Sequence, residues 1–167
     1  MIIPYMELYL SLGSNLGDRR LNILQALGML DEELGTPYCR LSEIEESESW
    51  GFDGPAFLDC AVCYELEESG RFGTMVPEAS CEALLDVCKG IERRLGRHEI
   101  LEFGPDGERR YHDRTVDIDI LFFGTYSVET ERLTVPHKLI SKREFIKKPL
   151  REIASEEIAR HFKDILE

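Results

Sequence analysis

The chain has 167 residues and is 43% hydrophobic, which predicts a single domain with a sizeable buried core. Its net charge of −13 argues against unspecific nucleic-acid binding, and no apolar run approaches the ~20 residues that cross a bilayer. Residues 1–12 lack the basic start of a signal peptide, so the cytoplasm is the expected compartment.

The apolar pattern predicts strands and helices in alternation. Strands are expected at residues 5–12, 57–66 and 115–123, with polar extended chain at 39–49 and short extended pieces near 126–134. Helices are expected from about Asp18 to Gly35, from Pro77 to Gly96, and in two C-terminal steps near 141–153 and 155–166. Residues 97–113 are expected to form a long polar loop.

This order of elements is β-α-β-β-α-β with C-terminal additions. It predicts an α+β fold, a ferredoxin-like sandwich in which helices cover one face of an antiparallel sheet. There is no internal repeat and no domain boundary, so residues 1–167 are expected to form one domain.

Basic residues are concentrated in one part of this acidic chain. Residues 89–151 hold 14 of the 20 Lys and Arg residues, whereas residues 1–88 hold only 4. Such a concentration is typical of a site for a polyanion, of which phosphates are the common case. A solvated surface with uneven charge is the alternative that this feature leaves open.

Five cysteines are present, and an odd number without a secretion signal indicates free thiols. Cys60 and Cys63, with Cys81 and Cys88 as a second pair, raise the alternative of a zinc site. However, residues three apart in a strand point to opposite faces, and a spacing of seven is typical of the buried side of a helix. Small buried hydrophobic side chains are therefore the favoured interpretation.

The sharpest chemical feature is the pair Asp117 and Asp119 in an otherwise apolar strand. Side chains two apart project to the same face, where two carboxylates repel each other unless a cation lies between them. Oxygen ligands without nearby His or Cys favour Mg²⁺, usually shared with substrate phosphates. An exposed strand face with two solvated acids is the alternative.

Candidate phosphate ligands surround that pair in the sequence. They are Arg97, Arg109, Arg110, Arg114, Arg132, His137, Lys138 and Arg143. No phosphate-binding loop of the Gly-x-x-x-x-Gly-Lys-Ser/Thr type is present, and the turn from Gly13 to Gly17 is expected to be structural.

Aromatic residues from loops or element edges could stack on a flat heteroaromatic ligand, although each alone is more typical of a core. They are Trp50, Phe52, Phe57 and Phe145.

Together, these segments resemble the 6-hydroxymethyl-7,8-dihydropterin pyrophosphokinase family over nearly the whole chain. The matching segments are Tyr9-Leu-Ser-Leu-Gly-Ser-Asn-Leu-Gly-Asp18, Trp50-Gly51, Phe57-Leu58-Asp59, Ile91-Glu-Arg-Arg-Leu-Gly-Arg97, Asp113-Arg-Thr-Val-Asp-Ile-Asp-Ile-Leu-Phe-Phe-Gly124, Arg132-Leu-Thr-Val-Pro-His137, Arg143-x-Phe145 and Pro149-Leu150. The resemblance implies the ferredoxin-like fold and a step of folate biosynthesis. In that step the pterin hydroxyl attacks the β-phosphorus of ATP and AMP leaves.

The resemblance also implies roles for individual residues. Asp117 and Asp119 match the ligands of two Mg²⁺ ions, and Arg97 and Arg114 match catalytic arginines that contact the transferred phosphates. The implied ATP-binding residues are Arg110, Ile120, Arg132, Leu133, Thr134, His137, Lys138 and Arg143, with adenine near Ile120, Leu133 and Thr134. The implied pterin-binding residues are Ser47, Trp50, Phe57, Asp59 and Phe145, with the two phenylalanines on either side of the ring. The expected partners are the two small substrates, with no nucleic acid or membrane and a monomeric state.

Four features depart from the family pattern. Asp59 replaces a usual Asn, Lys138 a frequent Tyr, and Tyr111 a frequent Trp. The loop at 98–113 is longer than in several relatives, so Arg109 and Arg110 remain alternatives for its second arginine. Its Gly and Pro residues and few apolar anchors predict a lid that closes over ATP.

A non-catalytic ferredoxin-like ligand-binding domain is the competing hypothesis from another class.

Overall fold

The structure, a computed structural model, describes residues 4–47, 55–96 and 115–167. Within these ranges the strands are β1 (Tyr5–Ser14), β2 (Arg40–Leu41), β3 (Glu45–Ser47), β4 (Phe57–Glu67), β5 (Asp117–Phe123), β6 (Val128–Glu129) and β7 (Thr134–Val135). The helices are α1 (Arg19–Leu34), α2 (Pro77–Arg94), α3 (Glu144–Ile153), α4 (Glu156–His161) and α5 (Lys163–Leu166), with a 3-10 helix at Ile140–Lys142.

One antiparallel sheet organises the domain. Its order is β2-β4-β1-β5, and β3 pairs with β4 further along the edge that β2 begins. β4 therefore lies between β1 on one side and the β2–β3 edge on the other. Helix α1 connects β1 to β2 across β4, as in the ferredoxin-like fold. The predicted fold class is confirmed, and β6 and β7 form a separate hairpin beside the sheet.

The helix boundaries follow from local chemistry. The Asp18 carboxylate accepts a hydrogen bond from the backbone N–H of Leu21 at 3.1 Å, which caps the start of α1. Gly35 ends this helix with φ of 71°, a left-handed conformation that glycine adopts without a steric penalty. Pro77 opens α2, where its missing N–H costs no hydrogen bond.

Helices cover both faces of the sheet, so the expectation of helices on one face was wrong. α1 and α2 pack on the face that carries Leu8 and Leu10, whereas α3, α4 and α5 pack on the opposite face. There, the rings of Phe122 and Phe162 stack with centroids 4.4 Å apart. The C-terminal helices therefore complete a second core, because each supplies buried apolar side chains to a face that would otherwise be exposed.

The cysteines follow the predicted geometry. Cys60 lies in the core beneath α1 and α2, and Cys63 lies in the core beneath the C-terminal helices. The two thiols therefore point to opposite faces of β4, a geometry that cannot join them around one zinc ion. In the part of the chain that the structure describes, no helix is both long and apolar enough to cross a membrane.

Candidate functional site

Three carboxylates meet where β1 ends. Gly13 pairs with Asp59 of β4 on one side and with Asp117 of β5 on the other, and Ser11 pairs with Asp119. Directly paired residues in a sheet project to the same face, so Asp59, Asp117 and Asp119 share the face that α3 covers further along. The predicted common orientation of the Asp117 and Asp119 side chains is therefore present in the fold.

A cleft of about 440 Å³ opens beside the two β5 carboxylates and is called the central cleft below. It collects the predicted metal-binding and ATP-binding residues that lie in the described part of the chain. Its lining comprises Leu85, Lys89, Asp117, Ile118, Asp119, Ile120, Arg132, Leu133, Thr134, His137, Lys138, Leu139 and Arg143. Acidic, basic and apolar groups thus share one concave surface.

His137 is held in one orientation over this cleft. Its backbone N–H donates to the Leu121 carbonyl at 3.1 Å, and its ring Nδ1 accepts from the backbone N–H of Leu139 at 3.2 Å. Its Nε2 lies 3.9 Å from Oδ1 of Asp119. Burial, followed by the nearby Arg143, lowers the pKa of His137 below its ordinary value, although Asp117 opposes the shift. A neutral imidazole whose Nδ1 accepts a bond carries its proton on Nε2, which is therefore a donor facing the carboxylates.

Arg132 reaches the rim of the central cleft, but its guanidinium is bound to α2. Its two terminal nitrogens lie 2.8 Å from a Glu82 carboxylate oxygen and 2.7 Å from one of Asp86. These bonds attach the hairpin of β6 and β7 to α2. Leu133 and Thr134 follow Arg132 directly in this hairpin. That Arg132 contacts ATP stays a prediction.

Glu92 and Lys89 are site residues that the sequence analysis missed. The carboxylate of Glu92 on α2 is 1% exposed and accepts a hydrogen bond from the backbone N–H of Ile118 at 2.8 Å. Lys89, one turn earlier, lies 3.6 Å from that carboxylate and lines the cleft. A charged pair spaced three residues apart on an otherwise amphipathic helix was the available signal, and it is common on solvated helices as well.

Asp59 is the most buried of the three carboxylates, at 8% exposed. Its Oδ2 accepts a hydrogen bond from the Ser47 hydroxyl, and Ser47 is held beside it because β3 pairs with β4. Burial raises the pKa of Asp59 to about 6, with a further increase from the negative charge of Asp117 and a partial reversal by the Ser47 bond. The carboxylate therefore changes charge within reach of neutral pH.

Gly13 forms the floor between the two strands that carry these carboxylates. A Cβ atom at this position would lie 2.8 Å from Asp59 Oδ1 and 3.4 Å from Cδ1 of Phe57. The side chains of Asp59 and Phe57 thus occupy the space above the Gly13 backbone, which only a residue without a side chain leaves open. Gly13 lies within β1 rather than in the predicted turn, and its lack of a side chain shapes the site.

Phe145 approaches the same region from α3. Its ring lies 5.7 Å from the Arg143 guanidinium carbon, and it lines a small cavity of about 30 Å³ together with Asp59. Phe145 therefore links the Asp59 side of the site to the central cleft, which contains Arg143. That Phe57 and Phe145 enclose a ring between them stays a prediction.

Several predicted residues lie outside the described ranges. They are Trp50, Phe52, Arg97, Arg109, Arg110 and Arg114, together with the loop at 98–113. Among the residues that are described, no group of three or more His, Cys, Asp and Glu side chains is arranged to hold a metal ion. That Asp117 and Asp119 hold metal ions stays a prediction.

Comparisons with known proteins find relatives that share most of the length of this chain. A relative from Porphyromonas gingivalis, named 2-amino-4-hydroxy-6-hydroxymethyldihydropteridine pyrophosphokinase, is 38% identical over 148 residues, which are 87% of this chain and 89% of that protein. A relative of the same name from Bacillus subtilis is 34% identical over 149 residues, covering 89% of this chain and 78% of that protein.

A crystal structure of HPPK-DHPS in complex with substrates has the same fold, with a TM-score of 0.58 at 14% identity, and it covers 98% of this chain but only 42% of that one. Residues 9–155 match the family model described as 7,8-dihydro-6-hydroxymethylpterin-pyrophosphokinase (HPPK). The chain therefore belongs to the 7,8-dihydro-6-hydroxymethylpterin-pyrophosphokinase family.

Proposed function

We propose that this protein transfers a pyrophosphoryl group from ATP to 6-hydroxymethyl-7,8-dihydropterin, which yields AMP and the pterin diphosphate in folate biosynthesis. The pterin hydroxyl oxygen forms a bond to the β-phosphorus, and its O–H bond breaks with release of the proton to solvent. The bond from that phosphorus to the oxygen bridging to the α-phosphate breaks, so this oxygen leaves with AMP. The observation that carries the proposal is the pair of β5 carboxylates facing a cleft with His137, Lys138 and Arg143.

The phosphate side of the reaction belongs to the central cleft. Neutral His137 would donate from Nε2 to a triphosphate oxygen, and Lys138 and Arg143 would add positive charge. Ile120, Leu133 and Thr134 offer a less polar wall for adenine, and Arg132 supports that wall through α2. Arg97, Arg114 and Arg110 (or Arg109) are proposed to contact the phosphates as well.

Asp117 and Asp119 are proposed to hold two Mg²⁺ ions with the triphosphate. The donor set fits, because Mg²⁺ is commonly bound through one or two carboxylates and completes its octahedron with substrate phosphate oxygens and water. Bound there, the ions would neutralise charge on the phosphates during an in-line displacement. The carboxylates are half-buried on a strand, so their positions are fixed before substrate binds.

The pterin is proposed to bind on the Asp59 side of the face. Above a pH of about 6 the ionised carboxylate can accept hydrogen bonds from two neighbouring ring donors, the 2-amino group and N3–H. Ser47 orients this carboxylate, and Phe57 and Phe145 supply rings for stacking. Trp50 is proposed to meet the pterin edge. This arrangement brings the pterin arm close to the β5 carboxylates, because only the Gly13 position separates Asp59 from Asp117 in the sheet.

The test is a direct assay with ATP, Mg²⁺ and 6-hydroxymethyl-7,8-dihydropterin. Formation of AMP and pterin diphosphate in equal amounts supports the proposal. A non-catalytic ligand-binding domain would bind one or both compounds, detectable by calorimetry, without AMP release. Monomeric state, cytoplasmic location and the lack of nucleic-acid or membrane partners stay predictions.

A further inference from the structure

Two cysteines lie together outside the proposed active site, where the chain enters the edge of the sheet. The backbone N–H of Cys39 donates to the Cys63 carbonyl at 2.9 Å, and the Cys39 Sγ lies 3.2 Å from the same oxygen. In the register of the sheet edge Cys63 lies directly opposite Arg40, so Cys39 is the next residue along the chain and a near neighbour of Cys63. Disulfides span Cα separations of about 4.4–6.8 Å, and the direct backbone hydrogen bond between Cys39 and Cys63 keeps the two residues close to this range.

The two thiols differ in access. All five cysteines lie in the described part of the chain, and among them Cys39 alone is exposed. Cys63 is fully buried, with its Sγ 3.5 Å from Nη2 of Arg40 and 3.9 Å from Oε2 of Glu7. Burial, and next the adjacent Cys39 thiol, raise the pKa of Cys63 far above its ordinary value, while Arg40 lowers it. An oxidant therefore meets Cys39 first, and Cys63 is kept as a protected thiol beside it.

We propose that Cys39 and Cys63 form an oxidative modification site that closes to an intramolecular disulfide when a peroxide reaches Cys39. The Cys39 thiolate attacks one oxygen of hydrogen peroxide, the O–O bond breaks, and the sulfenic acid and hydroxide form. The Cys63 sulfur then attacks the Cys39 sulfur, the S–O bond breaks, and water leaves. In sum, two thiols and one hydrogen peroxide give one disulfide and two waters.

The environment of Cys63 supplies the proton acceptor and the positive charge for the second step. Glu7 can take the Cys63 proton, and Arg40 can stabilise the thiolate as it forms. Arg40 is itself fixed, because its Nε donates to the Ile153 carbonyl at 2.8 Å and its Nη2 to the Tyr9 hydroxyl at 3.0 Å. The polar groups beside Cys63 thus stay in place while the bond forms.

The consequence concerns the segment from residue 39 to residue 63. It contains β2, β3 and three of the proposed pterin-side residues, Ser47, Phe57 and Asp59. A disulfide would tie the start of this segment to β4 and restrict the opening of the sheet edge on which Ser47 lies. The inference does not depend on the proposed reaction, since it rests on the thiol pair alone.

The test treats the full chain with hydrogen peroxide under native conditions and counts thiols before and after. The parent should lose two free thiols and about 2 Da of mass. A non-reducing digest should yield a peptide pair linked through Cys39 and Cys63, and dithiothreitol should reverse both changes. The unfolding midpoint of the oxidised form should rise by about 5 °C, because a closed loop constrains the unfolded chain.

Two matched variants with four thiols each separate this site from general oxidation. Cys39→Ala should lose no thiol pair, whereas Cys81→Ala, which removes a buried thiol on α2, should form the same linked peptide as the parent. Sulfinic acid at Cys39 with Cys63 still free, a link from Cys39 to another cysteine or another molecule, or five thiols that survive peroxide would each overturn the proposal.

Discussion

The carboxylate of Glu92 accepts a hydrogen bond from the backbone N–H of Ile118, which lies between the two aspartates proposed to bind metal. Among the strands that the structure describes, none pairs with β5 on the side away from β1, so this N–H has no described strand to pair with. A helix residue thus takes the place of a neighbouring strand at that point. The same bond sets the position of the β5 backbone from which Asp117 and Asp119 project.

The Glu92 relationship predicts a difference between two substitutions. Glu92→Leu removes the acceptor and leaves a buried N–H unpaired, which should cost about 1–3 kcal/mol of unfolding free energy and reduce turnover. Glu92→Gln offers an amide oxygen at the same distance, so it should retain most of the unfolding free energy and most of the turnover. Denaturant titration without ligands and steady-state kinetics measure the two effects. Equal losses in both variants would show that the charge, rather than the hydrogen bond, matters.

The β5 carboxylates are predicted to be individually required. Asp117→Ala or Asp119→Ala should reduce turnover by at least ~100-fold, about 2.7 kcal/mol of barrier, because each removes a ligand that positions and neutralises the triphosphate. Initial rates at saturating Mg²⁺ and ATP measure this. Asp164→Ala, on the exposed side of α5, is the matched control and should keep the parent rate. Near-parent turnover of either β5 variant would contradict the assignment.

Asp59 should make the ligand-free protein less stable as the pH rises. Its native pKa of about 6 lies above the value of 3.8 in an unfolded chain, so the native state binds the proton more tightly between these values. The free energy of unfolding should therefore fall from about pH 4 to pH 6 and then level off. Asp59→Asn has no carboxylate to ionise at this buried position. It should therefore be more stable than the parent by about 1–3 kcal/mol at pH 7, and the difference should vanish near pH 4.

Denaturant titrations of both proteins across this pH range, with a chelator present, measure the Asp59 effect. A constant difference between the parent and Asp59→Asn at every pH would mean that the Asp59 carboxylate does not titrate with a raised pKa.

Gly13→Ala should disturb the Asp59 side of the site more than the central cleft. The added methyl group would lie 2.8 Å from Asp59 Oδ1 and would displace that carboxylate and the Phe57 ring. Pterin affinity, measured by calorimetry with an ATP analogue present, should fall about 10-fold, close to 1.4 kcal/mol. Gly90→Ala is the matched control, since its Cβ meets nothing within 4 Å. Unchanged pterin affinity in Gly13→Ala would argue against a pterin site beside Gly13.

The features that depend on local pattern could be predicted from the sequence. The shared face of Asp117 and Asp119 follows from the two-residue period of a strand. The ends of α1 follow from a capping Asp18 and a left-handed Gly35, both of which act within one turn. The fold class followed from the order of the elements, which α1 and α2 connect across the sheet.

The features that depend on how elements meet could not be predicted in this way. The proximity of Asp59 to Asp117 requires the register of β4 and β5 on either side of Gly13, which no local pattern specifies. The contact of Glu92 with Ile118 depends on where α2 lies along β5. The second helical layer was missed because the apolar residues of α3 match either face of a sheet equally well.

The most direct test follows the phosphorus atoms of ATP through the reaction. With ATP isotopically labelled at the β-phosphorus, Mg²⁺ and 6-hydroxymethyl-7,8-dihydropterin, we expect all product label to appear in the pterin diphosphate. AMP should form in an equal amount without label, and Asp117→Ala should form little of either product. Label recovered in ADP, with a pterin monophosphate as the other product, would contradict pyrophosphoryl transfer, and so would pterin binding without any change in ATP.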